Sequence, residues 1–310
     1  MTLKSLAGRW CLAVAGLLGG ATCVSVPAIA EEAKTYTLRY QFVPQQSQHF
    51  ISQNDTEYVV EFSQAKDTVL HTSMFLRQMT ILSVAPDGAA DVQLMLDRAY
   101  MTAKNAEVDS VYDSTQTDQV PSEFAAVHQS LGKPINVRLT PLGKVLPAAD
   151  GTTPAIQDDL FVAFPKDPVA LGGTWKDNFE ASIQVANGGM LFRQVKMQRR
   201  FTLNSVENGI ATIAVSTVCL SPISDPFQES MLIQRKHSGV LKFDLEQGCL
   251  VDRLLKIDDK VVGNQGQGSA LTVKLVKVDR QLSADQLKFV DLTKPLVPVR
   301  VAADPLEPTR

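Results

Sequence analysis

The chain is poor in the residues that usually announce chemistry. Its histidines, His49, His71, His128 and His237, are scattered, with no pair at metal-ligand spacing and no H-E-x-x-H. No G-x-S-x-G elbow is present. The residues therefore give no catalytic, cofactor-binding or metal site. A hydrolase whose site assembles only in space stays as an alternative. Aromatic residues make up 6% of the chain, too few for a stacking platform, so Trp175 reads as a core plug. Neither sign of charge dominates, with 30 basic and 33 acidic side chains. That balance offers no general attraction for nucleic acid or anionic lipid. Beyond residue 30 no apolar run is long enough to span a bilayer.

Residues 1–30 have the layout of a secretory signal peptide. Lys4 and Arg9 form a positive start, Trp10 to Val26 is almost uncharged, and Ala28-Ile29-Ala30 is a small-x-small cleavage site. Its removal leaves a net charge of about −5 on a chain expected to be soluble and exported, periplasmic or secreted. Two cysteines leave with the leader; Cys219 and Cys249 remain in strand-like runs. Export permits a disulfide between them. A bridge would close a loop of about 30 residues and contribute about 3 kcal/mol. Two buried free thiols are the other reading.

A phrase recurs. "TILSVAPDGAADVQL" runs from Thr80 to Leu94, and "TLNSVENGIATIAV" from Thr202 to Val215. Each is an apolar run, a turn at Asp87-Gly88 or Asn208-Gly209, and a second run of period two, which is a hairpin signal. A second pair follows. "INVRLTPLGKVL" (135–146) and "VLKFDLEQGCLV" (240–251) turn at Gly143 and Gly248. Two ordered matches point to an internal repeat. Elsewhere "TYTLRYQFV", "EYVVEF", "TVLHTSMFL" and "GMLFRQVKMQRRF" alternate as strands of antiparallel sheets with one covered face. Helix signals are few: Ser122 to Gly132, a short stretch at 154–162, and a counterpart at 224–233. Such helices must bury an apolar stripe on a sheet face.

The expected fold is all-β with a few short helices. Two similar halves of antiparallel strands form strongly curved sheets, with helices covering one face. The boundaries read as a leader (1–30), a first half (31–147), a linker with a short helix (148–170), a second half (171–281) and an extended proline-rich tail (282–310).

At "LGKPINVRLTPLGKVL" and "FPKDPVALGGTW" the chain resembles a β-rich family of exported bacterial proteins, of the planctomycete type, whose function is unknown. The shared features are a Gly-Lys ahead of the hairpin (Gly132-Lys133), a Gly-Lys-Val turn (143–145) and a PV-x-x-G-x-x-W run ending at Trp175. They are structural punctuation, so the resemblance implies no activity. At fold level the layout is similar to the half-barrels of periplasmic lipoprotein carriers.

Function then reads as a non-catalytic binding or envelope-associated module. Its partner would be an apolar small molecule or an envelope protein, and a scaffold role is the alternative. If helices leave room on a concave sheet face, Phe124, Val127 and Leu131 of the helix and Leu94, Ile213 and Val215 of the strands are the expected lining. The acidic pairs Asp109/Asp113, Asp158/Asp159 and Asp258/Asp259 read as solvated loops, and the glycine-rich "GNQGQGS" (263–269) as a hairpin tip. Edman sequencing of the exported protein should begin at Glu31; a mature chain that keeps Trp10 to Val26 refutes the leader.

Overall fold

The computed structural model describes residues 34–63, 65–116, 119–147, 161–186 and 189–296. More than half of the chain is strand and under a tenth is helix, so the fold is all-β. A two-residue strand β1 (Thr35–Tyr36) precedes the long β2 (Ser47–Phe62), β3 (Ala65–Val84) and β4 (Ala90–Lys104), and β5 (Asp109–Asp113) folds back on β4. A 3-10 turn over Ser122–Phe124 leads into α1 (Ala125–Ser130), β6 (Ile135–Leu139) and β7 (Val145–Leu146). Then come β8 (Val169–Ala170), β9 (Thr174–Gln184), β10 (Phe192–Glu207), β11 (Ile210–Cys219) and α2 (Pro226–Leu232). The last elements are β12 (Ser238–Asp244), β13 (Cys249–Val262), β14 (Ser269–Leu282) and α3 (Ala284–Leu287).

Among the described residues β1 and β8 pair with each other, and the other strands join one antiparallel sheet. Its order is β7-β6-β4-β3-β2-β14-β13-β12-β11-β10-β9, with β5 beside β4. Leaving β5 aside, strand–strand–strand–helix–strand–strand occurs twice, as β2-β3-β4-α1-β6-β7 and as β9-β10-β11-α2-β12-β13. The two sets lie in the same order along the sheet, with β14 between them.

The recurring phrase writes the same irregularity twice. Register slips between Ile81 and Ser83 on β3, and between Leu203 and Ser205 on β10. In each hairpin one extra residue, Leu82 or Asn204, forms a bulge. A bulge resets the two-residue alternation, so Ile81 and Val84, three apart, both reach the core, as do Leu203 and Val206. The turns that follow place Gly88 at φ 82° and Gly209 at φ 79°.

One face of the sheet is concave. β4 and β11 are six strands apart, about 30 Å across a flat sheet. Yet Phe161 packs both against the cluster that holds Val92 and Val137 of the β4–β6 region and against the cluster that holds Ile213. The sheet curls to bring these together without closing, and among the described residues β7 and β9 are its two ends. Two extended segments, 36–42 and 161–164, fill the trough. Tyr40 is their hub: its ring meets Phe42, Phe161, Phe164 and Phe243 at centroid distances of 6.0, 6.3, 5.3 and 5.3 Å. Its hydroxyl accepts from the Val162 amide at 3.0 Å. Burial pushes its phenol pKa up to about 12, a hydrogen bond and Arg253 opposing only in part. Trp175 stacks on Phe201 and donates to the Ala163 carbonyl at 2.8 Å.

The two later turns hold the same segment from both sides. The Tyr40 amide donates to Pro141 O at 2.8 Å and the Gln41 amide to Gly248 O at 3.0 Å. Both turn glycines have positive φ, 75° at Gly143 and 58° at Gly248, and a Cβ on either would overlap backbone: Val162 O at Gly143, Gln41 N at Gly248.

Helix α1 lies over Phe75, Ala99, Ala103 and Tyr112 on the concave face, and α2 over Ala181, Ile183, Val195 and Met197. Asp225 caps α2, accepting from Phe227 N at 2.8 Å. On the convex face Leu292 packs on Ile51, Met74 and Leu76. It follows α3, which opens with a Ser283/Gln286 capping box. The predicted leader, most of the 154–162 helix, Asp158/Asp159 and the tail beyond 296 lie outside the described residues.

Gly209 and Gly248 separate two kinds of constraint. Around Gly209 the nearest atom to an added Cβ is Glu246 Cγ at 3.8 Å, so Gly209→Ala meets backbone strain alone, about 1 kcal/mol. Gly248→Ala adds an overlap with Gln41. In urea unfolding it should lose at least about 1 kcal/mol more than Gly209→Ala; equal losses would mean the turn yields without cost.

Candidate ligand cavity

The inward side chains of the sheet change character from edge to centre. At the β9–β11 end they are Trp175, Phe201, Leu203, Ile213 and Val215; on β3, β4 and β6 they include Met79, Ile81, Val92 and Val137. The middle strands β2, β14 and β13 instead present Ser52, Asp279 and Arg253, each at most 4% exposed. Cross-strand register sets them side by side, with Ser52 opposite Asp279 and Arg253 opposite Asp279.

This cluster satisfies itself. Arg253 Nε and Nη2 donate to Asp279 Oδ2 at 2.8 and 2.7 Å, and Ser52 Oγ donates to Oδ1 at 2.6 Å. Burial by itself would raise the Asp279 pKa. Arg253, Lys277 and Arg77, with the Ser52 hydroxyl, outweigh it and hold the carboxyl below its ordinary value. A buried charge persists only when paired and hydrogen-bonded in this way.

Between α1 and the concave faces of β2–β4 lies a cavity of about 350 Å³. That is at the low end of the roughly 300–1,000 Å³ typical of small-molecule sites. Its apolar wall includes Phe50, Met79, Leu94, Leu96, Val127 and Phe161; Gln48, the Ser52–Asp279–Arg253 cluster, Arg77, Gln78, Ser130 and Lys133 supply polar wall. It exists because α1, with its six residues, is too short to cover that half of the trough, and the 161–164 segment fills the rest.

Leu94 and Val127 line this cavity. Phe124 and Leu131 do not; they pack beside it against Tyr112, Ala99 and Ala103. Ile213 and Val215 also lie apart from it, in the core of the other half, where Tyr40, Phe164 and Phe243 occupy the trough. Val215 borders a second void of about 30 Å³, room for water at most. Sequence reading passed over Gln48 and Asp279. Each is a polar residue at an inward position of an alternating strand, and that position was the available signal.

The cysteines do not bond: Cys219 and Cys249 are free thiols. Asp244 pairs with both Ile210 and Cys249, so Cys249 sits level with the start of β11, while Cys219 ends that strand. Nine residues of strand separate the two levels, about 30 Å, far beyond disulfide reach. Burial, with Asp244 nearby, pushes the Cys249 thiol up to about 11, against a weaker opposing hydrogen bond to Gln281. A thiol so raised is a poor nucleophile.

The remaining candidates find structural partners. His128 Nδ1 meets Tyr112 Oη at 2.9 Å and His71 stands edge-on to Tyr58. Asp109 pairs with Lys104 and Asp259 with Lys236. The 263–269 stretch is the β13–β14 turn, with Gly263, Gly266 and Gly268 at positive φ. Among the described residues no helix is long and apolar enough to cross a membrane.

No family model and no curated protein matches the chain, so the family resemblance gains no support. Solved structures show a weak likeness of fold. One is titled "Lipid-protein interactions in lipovitellin", with TM-score 0.41, 8% identity and 78% of this chain covered. The chain spans about a quarter of that protein, 26% of its length. Another is DynF from the dynemicin biosynthesis pathway of Micromonospora chersina, with TM-score 0.22 and 10% identity, covering 85% of this chain and 92% of that one. Scores this low leave the reading of the site to its own geometry.

Asp279→Asn tests the cluster. Arg253 would stay buried without its carboxylate, and unfolding in urea at pH 7 should show a loss of about 3–5 kcal/mol. A carboxylate whose pKa is depressed by folding contributes above its unfolded pKa, about 3.9, and loses that contribution as pH falls through the folded value. The gap between wild type and Asp279→Asn should therefore be widest above about pH 4 and shrink in more acid solution. A gap unchanged down to pH 2 would overturn this account.

Proposed function

We propose that this chain is an exported, non-catalytic binding module that holds an apolar small molecule in the cavity beneath α1. The observation that carries this reading is the cavity itself. It has a largely apolar wall and a volume of about 350 Å³, both within the range of small-molecule sites, and it lies between a short helix and a curved sheet. The ionisable groups at its wall favour binding over catalysis. Asp279 is held in its charged form by bonds to Arg253 and Ser52, whereas a general base works best with a pKa near the operating pH. Export is the part of the reading that rests on the leader ending at Ala30. The matched order of elements in the two halves supports their origin as copies of one unit, of which the first keeps an open trough and the second is filled by aromatic side chains.

Titration of a fluorescent long-chain fatty-acid probe into the purified protein should show saturable binding at micromolar concentration. Leu94→Trp, which places a large ring in the cavity, should weaken binding at least about tenfold, a loss of about 1.4 kcal/mol, with an unchanged circular-dichroism spectrum. Absence of saturable binding to the wild-type protein would overturn the carrier reading and move the function to an interaction within the envelope.

A further inference from the structure

We propose that the ligand of this cavity is a neutral single-chain amphipath with a hydroxyl head, and that Gln48 receives the head. The inference rests on the binding reading above and adds the chemistry of one end of the ligand.

Gln48 is the second residue of β2, on the inward face shared with Phe50 and Ser52. Register places it in a row across four strands: Gln48 opposite Met79, Met79 opposite Leu94, and Leu94 opposite Ile135. All four line the cavity. The row is thus one amide followed by three apolar side chains. Gln48 is only 7% exposed, and its Oε1 is buried with no hydrogen-bond partner. Buried polar atoms in folded proteins are bonded with few exceptions, so this one calls for a partner that the cavity admits.

The other polar residues of the wall make no such demand: Gln78 donates to Ser47 and Thr80, Ser130 donates to Val127 O, Arg77 lies over Phe75, and Lys133 is exposed to solvent. Both oxygens of Asp279 are engaged, by Ser52 and Arg253. Ser52 lies four residues along β2 from Gln48, about 13 Å away, with Phe50 between. A ligand head therefore gains most at the Gln48 end, and its chain then runs along Met79 and Leu94 toward Leu96 and Val127 under α1.

The chemistry of the head follows from the amide. An ether or ester oxygen only accepts, and cannot satisfy Oε1. A carboxylate also only accepts, so it leaves Oε1 without a donor. A hydroxyl donates and accepts, so it satisfies the amide with either of its ends turned to the cavity.

The test compares two probes that share a chain and an oxygen acceptor, one with a donor hydrogen and one with a methyl in its place. Oleyl alcohol and oleyl methyl ether are each used to displace a fluorescent fatty-acid probe from the purified protein. The alcohol should bind about tenfold more tightly than the ether. In Gln48→Met, which keeps the side-chain length and removes the amide, the two should bind within about twofold. Equal binding of alcohol and ether to wild type would overturn the hydroxyl assignment and leave the carrier reading standing, with Gln48 served by water. A preference for the alcohol that survives in Gln48→Met would overturn Gln48 as its source. Failure of both compounds and of the probe to bind would overturn the carrier reading itself. The wild-type comparison decides the ligand chemistry even if the variant does not fold.

Discussion

A curved sheet of this width stands or falls on what fills its trough, and here that is the chain around Tyr40. The phenol ring touches aromatic side chains from its own segment, from 161–164 and from β12. Its hydroxyl fixes Val162, and the backbone on either side is bonded to turns that belong to opposite halves of the sheet. Burying one such ring contributes about the same few kcal/mol as any core aromatic. Its position matters more than its area. The two turns cannot both close on residues 40–41 unless the sheet curls, so the curl and the filling of the trough depend on each other.

The same geometry explains why the cavity lies in one half. In the second half Phe164, Phe243, Trp175 and Phe201 interlock over β9–β12 at centroid distances of 4.6 to 6.5 Å. In the first half the inward residues are thinner, Met79, Leu94 and Ile135, and α1 is one short helix. Matched strand orders have thus been given unequal volumes of side chain, and the shortfall is the cavity. The Ser52–Asp279–Arg253 cluster marks the divide. It is bonded within itself, so it closes the cavity with a polar wall that asks nothing further of a ligand, while Gln48 at the other end does.

Much of the fold was legible. The Asp87-Gly88 and Asn208-Gly209 turns, their flanking strands and the two later glycine turns lie where local signals placed them, because turn chemistry acts within four or five residues. The helix at 226–232 was visible as a counterpart of the first for the same reason: an Asp cap and a proline at the first helical position are local. The site was less legible. Leu94 and Val127 were within reach of pattern reading as inward apolar residues. Nothing in the pattern distinguished them from Ile213 and Val215, which face a filled trough. The cysteines show the same limit. Both lie in strands, but whether two strand residues meet depends on level along the sheet, which alternation does not encode.

The sequence by itself determined the class of fold and the turns, since each depends on the conformational preferences of a few adjacent residues. It also determined which side chains face inward, because alternation is local. The tertiary structure alone decided which inward side chains meet. That required the curl that brings β4 and β11 onto one phenylalanine, the seating of 36–42 between two distant turns, and the register that sets Asp279 beside Arg253. It also decided that Gln48 faces open space while Ile213 faces a ring, because a void is the difference between the volume enclosed by distant strands and the side chains that reach into it.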